Sequence, residues 1–289
     1  MSSFYKKWED LEIYDNYIFC KVMEDPKLCK EMLEILLGID IEKIEYLVSE
    51  RHIENEYSSH GVRLDIFVKN SDKIYNLEMQ TGDYTHILNR ARYYHSAMDI
   101  DETERGIDYK ELKENYVLFI CRGDPFGAKI PIYTKKTIFL ETDAVLYDDK
   151  SHTVFYNASA YAKAENPEIR AVLKFISTLM ADTEFTKELA HTVDRVKSNR
   201  NYRIRYMTVA QEIIWEKRAA RKEGLAEGLA EGRAEGRAEG LTEGRVKGAE
   251  EHLLQLIKIK LSKNKSPEQI ADEIELPLEE TLAYIKQLS

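Results

Sequence analysis

Apolar residues recur along the first part of the chain at two different spacings. Residues 16–37 carry them at helical spacing and stop at Gly38, which predicts one helix. A short strand is expected at residues 44–49. Residues 62–69 and 74–80 then alternate apolar and polar side chains around the turn-rich tetrapeptide between them, which predicts a β-hairpin.

The same patterns predict the other elements of this region. Further helices are expected at residues 85–99 and 167–180, a buried strand at 116–121, and strands at 134–141 and 152–158. A helix, strands, a second helix and further strands, in that order, are typical of an α/β fold.

The composition changes sharply near residue 223. Seven of the thirteen glycines recur at every fourth position, nearly all of them after Glu: Gly224, Gly228, Gly232, Gly236, Gly240, Gly244 and Gly248. Each costs about 1 kcal/mol relative to Ala inside a helix, so a flexible spacer and a weakly self-associating helix both stay open. We therefore divide the chain into a core (1–190), a basic helical arm (191–222), a repeat spacer (223–248) and a small helical unit that resembles a helix-turn-helix (249–289).

The predicted hairpin brings two acidic residues together. If Ser71-Asp72 is its two-residue loop, Asp65 lies opposite Glu78 and Arg63 lies opposite Gln80. Directly opposed residues have Cβ atoms only about 5 Å apart, so two carboxylates there favour a cation between them. A hard cation such as Mg²⁺ binds carboxylate oxygens and keeps waters for substrate phosphate.

A simpler interpretation of the hairpin also stays open. The alternation predicts that each strand turns its apolar set to one side and its polar set to a solvated side. On such a face Arg63, Lys69 or Arg90 could neutralise the two carboxylates without any metal.

The spacing of Asp65, Glu78 and Gln80 resembles the D-x(n)-(D/E)-x-K motif of PD-(D/E)XK nucleases. The segments DNYIFCKVMED, GVRLDIFVKN, YNLEMQ, RARYYHSAMD, GIDYKELKENYVLFIC and DPFG are similar, over about residues 10–180, to the family of recombination-promoting nucleases and transposases. The resemblance implies a restriction-endonuclease-like core, a central mixed sheet flanked by helices, followed here by an all-α C-terminal extension. It also implies a metal-dependent DNA endonuclease.

The resemblance assigns roles to hairpin residues. It implies that Asp65 and Glu78 bind Mg²⁺, with Mn²⁺ as a substitute, and that Gln80 occupies the position of the usual catalytic lysine. Lysine supplies positive charge near the attacking water, whereas Gln offers only neutral hydrogen bonds that can orient that water. Leu64 stands where the motif has proline, which is not a metal ligand.

The helix expected after the hairpin supplies candidates for substrate binding. Its spacing places His86, Arg90, Tyr93 and Tyr94 on one face. Arg90 is expected to contact phosphate through its planar guanidinium, and Tyr94 to hydrogen-bond or stack nearby; Arg63 completes the expected substrate contacts. The alternatives are a salt bridge from Arg90 to Glu78 or Asp65, and core packing of the tyrosines.

Other candidate residues have weaker patterns. Glu31 or Glu34 could supply a third carboxylate, although a solvated helix face accounts for both. His86 and His95 have no histidine at ligand spacing, so structural roles are expected. Cys20, Cys29 and Cys121 form no C-x-x-C pair, which argues against a zinc ribbon or a disulfide framework.

Charge is distributed unevenly along the chain. The net charge of −10 excludes a surface that is basic throughout, but a local patch suffices for binding DNA. Residues 195–222 carry nine Lys and Arg against two Glu, with Tyr202, Tyr206 and Trp215 interleaved. This arm suits DNA binding, and equally an amphipathic helix with a solvated basic face.

The bulk properties complete the hypothesis. No apolar run reaches the roughly 18 residues of a membrane span, and the first residues do not resemble a signal peptide, so we expect a cytoplasmic protein without membrane contact. The leading hypothesis is a Mg²⁺-dependent DNA endonuclease linked to recombination or mobile elements. Its expected partners are DNA and a second copy of the chain. The alternative is a catalytically weak or inactive nuclease-like module that binds DNA or protein and self-associates through its C-terminal region.

Overall fold

The computed structural model describes residues 6–53, 62–102, 108–142, 145–146 and 148–288. Gly61 and residues 106–107, which belong to segments quoted above, lie outside this range. The chain forms two compact units, Met1–Gln211 and Glu212–Ser289. The four-part division made from composition stays a prediction.

The first unit is built on a six-stranded mixed sheet. Its strands are β1 (Tyr46–Ile53), β2 (Val62–Lys69), β3 (Lys73–Gln80), β4 (Glu114–Cys121), β5 (Ile132–Lys135) and β8 (Ser151–Asn157), and a separate pair is formed by β6 (Ile138–Phe139) and β7 (Val145–Leu146). The order in the large sheet is β1-β2-β3-β4-β8-β5. The β3, β4 and β8 strands run parallel, whereas β1, β2 and β5 pair antiparallel with their neighbours.

Helices cover both faces of this sheet. They are α1 (Asn16–Met23), α2 (Pro26–Leu37), α3 (Ile87–Glu102), α4 (Pro167–Thr178), α5 (Glu184–Ser198) and the first residues of α6 (Arg200–Ser262). One core cluster joins the sheet to α1, α2, α4 and α5, and a second joins the opposite face to α3. The predicted α/β class, with a mixed sheet flanked by helices, is confirmed.

Two predicted elements are wrong in extent. The single helix at 16–37 is divided into α1 and α2, because Pro26 cannot continue α1 and the Asp25 side chain caps α2 by accepting from Lys27 N–H at 3.0 Å. Gly38, with φ of 66°, ends α2 as expected. The single strand at 134–141 is also divided, since β5 follows β8 only to Lys135 and the next residues pair with β7.

The polar face expected for the hairpin is not solvated. Glu78 is 2% exposed, because α3 packs over this side of the sheet, and Asp65 is 5% exposed, with Asn16 and Cys20 of α1 also against it. The central position of β3, between an antiparallel and a parallel neighbour, buries both of its faces.

The apolar set of β2 does not keep to one side of the sheet, contrary to the prediction. Val62 and Leu64 belong to the α3-side core, whereas Ile66 and Val68 belong to the opposite core. The change occurs at Asp65, where the register of β1 and β2 places Glu50, whose φ is 53°. A backbone outside the β region at this pair reorients the side chains that follow.

The second unit is helical, which confirms the all-α extension. Beyond α6 it contains α7 (Pro267–Glu273) and α8 (Leu278–Leu288), and its buried residues include Ile257, Ile270 and Thr281. Ser266 caps α7 in a capping box with Gln269. The glycine repeat is helical, as part of α6. None of the helices described is both long enough and apolar enough to cross a membrane.

Candidate active site

The β2–β3 hairpin has the predicted register. Asn70 and Lys73 flank the Ser71-Asp72 loop, and the strands pair from Lys69–Ile74 to Ile66–Leu77. Continued by one residue, this register places Asp65 opposite Glu78. The predicted pairing of Arg63 with Gln80 is wrong, because the regular ladder ends at Ile66–Leu77.

Where the backbone hydrogen bonds between β2 and β3 end, side chains continue the pairing of the two strands. The backbone N–H of Asp65 donates to Glu78 Oε1 at 3.0 Å, and the backbone N–H of Met79 donates to Asp65 Oδ2 at 3.1 Å. Each carboxylate therefore binds the strand that carries the other. These bonds fix both carboxylates side by side and satisfy backbone groups that the ladder leaves free.

Burial makes this pair electrostatically unfavourable when both groups are ionised. It raises the pKa of Asp65 above its usual range, and it raises the pKa of Glu78 to about 8, with the charge of Asp65 adding to the effect. Backbone donation from Asp65 and the amide of Asn76 lower the pKa of Glu78 by smaller amounts. A bound cation would favour the doubly ionised pair.

The three cations considered for neutralising this pair differ in position. Arg63 lies 3.6 Å from Glu50, with its side chain 51% exposed, and Lys69 pairs with Glu102. Arg90, on α3, places Nη2 3.4 Å from Glu78 Oε2. The predicted alternative of a salt bridge from Arg90 to Glu78 is thus present.

Arg90 also connects Glu78 to other predicted site residues. Its Nη1 donates to Gln80 Oε1 at 2.8 Å, and its Nη2 donates to the hydroxyl of Tyr94 at 3.0 Å. Gln80 Nε2 donates in turn to the backbone oxygen of Asp83 at 2.8 Å. The amide of Gln80 is therefore held at both ends, with its oxygen toward the guanidinium.

The tyrosines and histidines in and near α3 lie in different environments. Tyr94 is buried and stacks on Phe119, whereas Tyr93 is 44% exposed. His86 is not on the helical face predicted for it, because α3 begins at Ile87 and His86 has φ of 62°. His95 is buried between α3 and the sheet, where its Nε2 bonds the Thr153 hydroxyl at 2.8 Å.

Helix α2 does not contribute a third carboxylate to the pair. Glu34 accepts the backbone N–H of Ile41 at 2.8 Å, and Glu31 lines a cavity with Glu168 and Glu184. These contacts favour the alternative considered for Glu31 and Glu34, a role on the helix surface, over a third carboxylate at the pair. Within the part of the chain that the structure describes, no group of three or more His, Cys, Asp or Glu is arranged to hold a metal ion.

The two carboxylates nonetheless fit a Mg²⁺ site. Mg²⁺ is commonly bound by one or two protein carboxylates, with waters and substrate phosphate completing the octahedron. Asp65 and Glu78 offer such oxygens side by side, and their burial opposes double ionisation without a cation. Three neighbours were missed by sequence reasoning: Glu50, which the β1–β2 register places beside Asp65; Asn76, on the same side of β3 as Glu78; and Asn16, at the start of α1, whose side chain hydrogen-bonds Asp65. The two-residue spacing of Asn76 from Glu78 was the available signal for the second.

Part of the basic arm serves packing within the first unit. Lys197 pairs with Glu12 at 3.3 Å and Arg203 with Glu9 at 2.9 Å. Tyr206 is 9% exposed and donates to the backbone oxygen of Lys6 at 3.0 Å. In the second unit, Trp215 is 66% exposed. The described arm thus combines structural residues with exposed ones.

Comparison with known proteins supports the resemblance seen in the sequence. No match was found among curated proteins or among solved structures. A family model, described as PD-(D/E)XK nuclease family transposase, matches residues 16–226. That range contains the six-stranded sheet, both carboxylates, Gln80 and Arg90. Since the match covers well over half of the chain, the chain belongs to the PD-(D/E)XK nuclease family transposases.

Proposed function

We propose that the chain is a metal-dependent DNA endonuclease that hydrolyses phosphodiester bonds. The observation that carries the proposal is the pair of buried, hydrogen-bonded carboxylates, Asp65 and Glu78, beside the guanidinium of Arg90. Burying two ionised carboxylates together is unfavourable unless a cation lies beside them. Because the chain belongs to a nuclease family, a nuclease metal site is the interpretation that best explains this arrangement.

In this proposal the carboxylates hold Mg²⁺, for which Mn²⁺ can substitute. The ion, when bound, would polarise a phosphoryl oxygen and lower the pKa of a water. The amide of Gln80, held by Arg90 and by the backbone oxygen of Asp83, would orient the attacking water, and Tyr94 holds Arg90 in place through its hydroxyl. Arg63, half exposed beside Glu50, is a further phosphate contact.

Arg90 supplies the positive charge that Gln80 lacks. The usual lysine of the motif stabilises negative charge near the scissile phosphate, a task that Gln cannot perform. The guanidinium of Arg90 lies directly against the Gln80 amide and is 36% exposed, so it is accessible to a phosphate.

DNA is the proposed partner, and recombination or mobile-element movement is the proposed context, in the cytoplasm. The basic arm would contribute contacts to phosphate that depend on salt but not on sequence. Arg218, Arg221 and Lys222 lie on an exposed stretch of α6.

The test is cleavage of supercoiled plasmid with Mg²⁺ or Mn²⁺. Asp65→Asn should lower the nicking rate at least about 100-fold, because loss of a metal ligand removes several kcal/mol of stabilisation. Asp72→Asn is the matched control, since Asp72 is an exposed acid in the loop of the same hairpin. Equal nicking by wild type and Asp65→Asn would refute the assigned site. Absence of cleavage by a folded wild type that still binds DNA would favour a binding module instead.

We propose in addition that the C-terminal region associates with a second copy of the chain. Exposed leucines on α6 favour this: Leu225 is 74% exposed, Leu229 is 55% and Leu241 is 64%. Light scattering should show a smaller mass for Leu225→Gln/Leu229→Gln than for wild type. A wild-type protein that is monomeric at every concentration would refute self-association without affecting the nuclease proposal.

A further inference from the structure

A buried side-chain amide lies next to the carboxylate pair and makes no hydrogen bond within the described part of the chain. Asn76 is on β3, two residues before Glu78, and is fully buried. Its neighbours across the sheet are Phe67 on β2 and Val117 on β4, both apolar. Neither amide atom meets hydrogen-bond geometry with any residue that the structure describes.

Such an amide is unfavourable as a purely structural residue. Leaving a buried polar group without a hydrogen bond costs about 1–3 kcal/mol. The other fully or nearly fully buried asparagines of the sheet are bonded: Asn115 Nδ2 donates to Asp99 at 2.6 Å, and Asn157 Nδ2 donates to the backbone oxygen of Ile130 at 3.0 Å. An apolar residue of the same size would suit the surroundings of Asn76 better.

The polar group that Asn76 can serve is Glu78. Residues two apart on a strand point to the same side of the sheet, and the amide of Asn76 lies near enough to the Glu78 carboxylate to lower its pKa, although not in hydrogen-bond geometry. The existing donors to that carboxylate are the Asp65 N–H at 3.0 Å, on Oε1, and Arg90 at 3.4 Å, on Oε2. The second bond is long, so Oε2 of Glu78 is weakly held.

We propose that Asn76 is a positioning residue of the metal site, whose Nδ2 donates to the Glu78 carboxylate when that group binds a divalent cation. The inference rests on the proposed function, since it assumes that Glu78 is a metal ligand. Bonds from outer residues to ligating carboxylates set ligand orientation, and their loss typically costs about 10–100-fold in metal affinity. This bond would give the buried amide the partner that its apolar neighbours Phe67 and Val117 do not supply.

The experiment measures Mn²⁺ binding to the full chain by calorimetry. Asn76→Leu should bind Mn²⁺ at least about 10-fold more weakly than wild type. In chelator, the same variant should unfold at an equal or higher urea concentration, because an unbonded polar group is replaced by an apolar one. The matched control is Asn115→Leu, which should unfold at lower urea but keep wild-type Mn²⁺ affinity.

The outcomes separate this inference from the function on which it rests. Wild-type Mn²⁺ binding that Glu78→Gln abolishes and Asn76→Leu leaves unchanged would overturn the role of Asn76 alone. Binding that Glu78→Gln does not affect would overturn the metal site, and this inference with it.

A second measurement uses only the wild-type protein, so it does not depend on whether Asn76→Leu folds. In wild-type protein with ¹⁵N-labelled asparagine, adding Mg²⁺ should shift a side-chain amide proton of Asn76 and slow its exchange with solvent. Unchanged shift and exchange at saturating Mg²⁺ would contradict the proposed bond.

Discussion

The guanidinium of Arg90 donates from Nη1 to Oε1 of Gln80 at 2.8 Å. This bond joins a residue of helix α3 to the strand position at which the motif usually has lysine. Since Gln80 is neutral, it can lie against a cation that a lysine would repel. Gln80 and Arg90 are therefore best understood as one unit, in which the strand contributes an amide and the helix contributes the charge.

Removing the charge of Arg90 should impair cleavage more than DNA binding. Arg90→Met is expected to lower the single-turnover rate about 100–1,000-fold, the usual effect of losing an electrostatic group at a transition state. Arg90→Lys should retain more activity, because it keeps the charge but loses the planar fork. Rapid-quench kinetics with saturating protein measure both variants. Equal rates for Arg90→Met and wild type would contradict the assignment.

Restoring the usual lysine should not improve the enzyme. Gln80→Lys would place an ammonium against Arg90, and the repulsion should lower both cleavage and stability. The double variant Gln80→Lys/Arg90→Gln exchanges amide and cation, and we expect it to recover at least about 10-fold in rate over Gln80→Lys alone. Single-turnover rates of the wild type and the three variants give the coupling between these positions. If the effects of the two substitutions on the rate simply added, Gln80 and Arg90 would not act as one unit.

Glu78→Gln should stabilise the protein without metal while abolishing metal-dependent activity. Because its pKa is raised in the folded state, Glu78 contributes stability that is present below pH 4.5 and lost as the pH rises toward about 8. The variant should therefore match wild type near pH 4.5 and exceed it by a few kcal/mol at pH 8. Urea unfolding in EDTA across this range tests the trend, and Asp72→Asn serves as control. A wild type that is the more stable at pH 8 would contradict the argument.

His95 should make the fold sensitive to acid. Burial lowers its pKa to about 4, so the unfolded chain takes up a proton first as the pH falls. Its contribution to stability is present above pH 6.5 and is lost between pH 6.5 and 4, amounting to about 3 kcal/mol.

The test compares urea unfolding of wild type and His95→Gln over that range. Other carboxylates titrate in both proteins, so the difference between the two curves isolates His95. That difference should change steadily between pH 6.5 and 4 in favour of the variant. A constant difference would show that His95 does not titrate as the burial implies.

Local features of the fold could be read from the sequence because they depend on neighbouring residues. The Ser71-Asp72 loop fixed the hairpin register and so brought Asp65 to Glu78. Gly38 ends α2 as predicted, for a backbone reason that acts within a few residues. The nearness of Arg90 to the pair also followed from the short connection between β3 and α3.

Other features depend on packing between distant segments. Alternation in β2 and β3 indicated one solvated face, but α3 covers that face at Glu78, and residues of α1 also lie against Asp65. The reorientation of side chains at Asp65 depends on the backbone of Glu50, on another strand. Nothing in a strand pattern distinguishes the bonded amide of Asn115 from that of Asn76.

The crossed bonds between the carboxylates and the strands have an evolutionary consequence. Asp65 and Glu78 each accept a backbone N–H of the opposite strand, so an acceptor oxygen at either position would keep a structural use in a relative that no longer cleaved DNA. Retention of both acids is thus compatible with loss of catalysis. Gln80 and Arg90 bind each other and are not needed to join the strands. Substitutions of Gln80 or Arg90 are therefore the changes that would identify relatives that have lost nuclease activity.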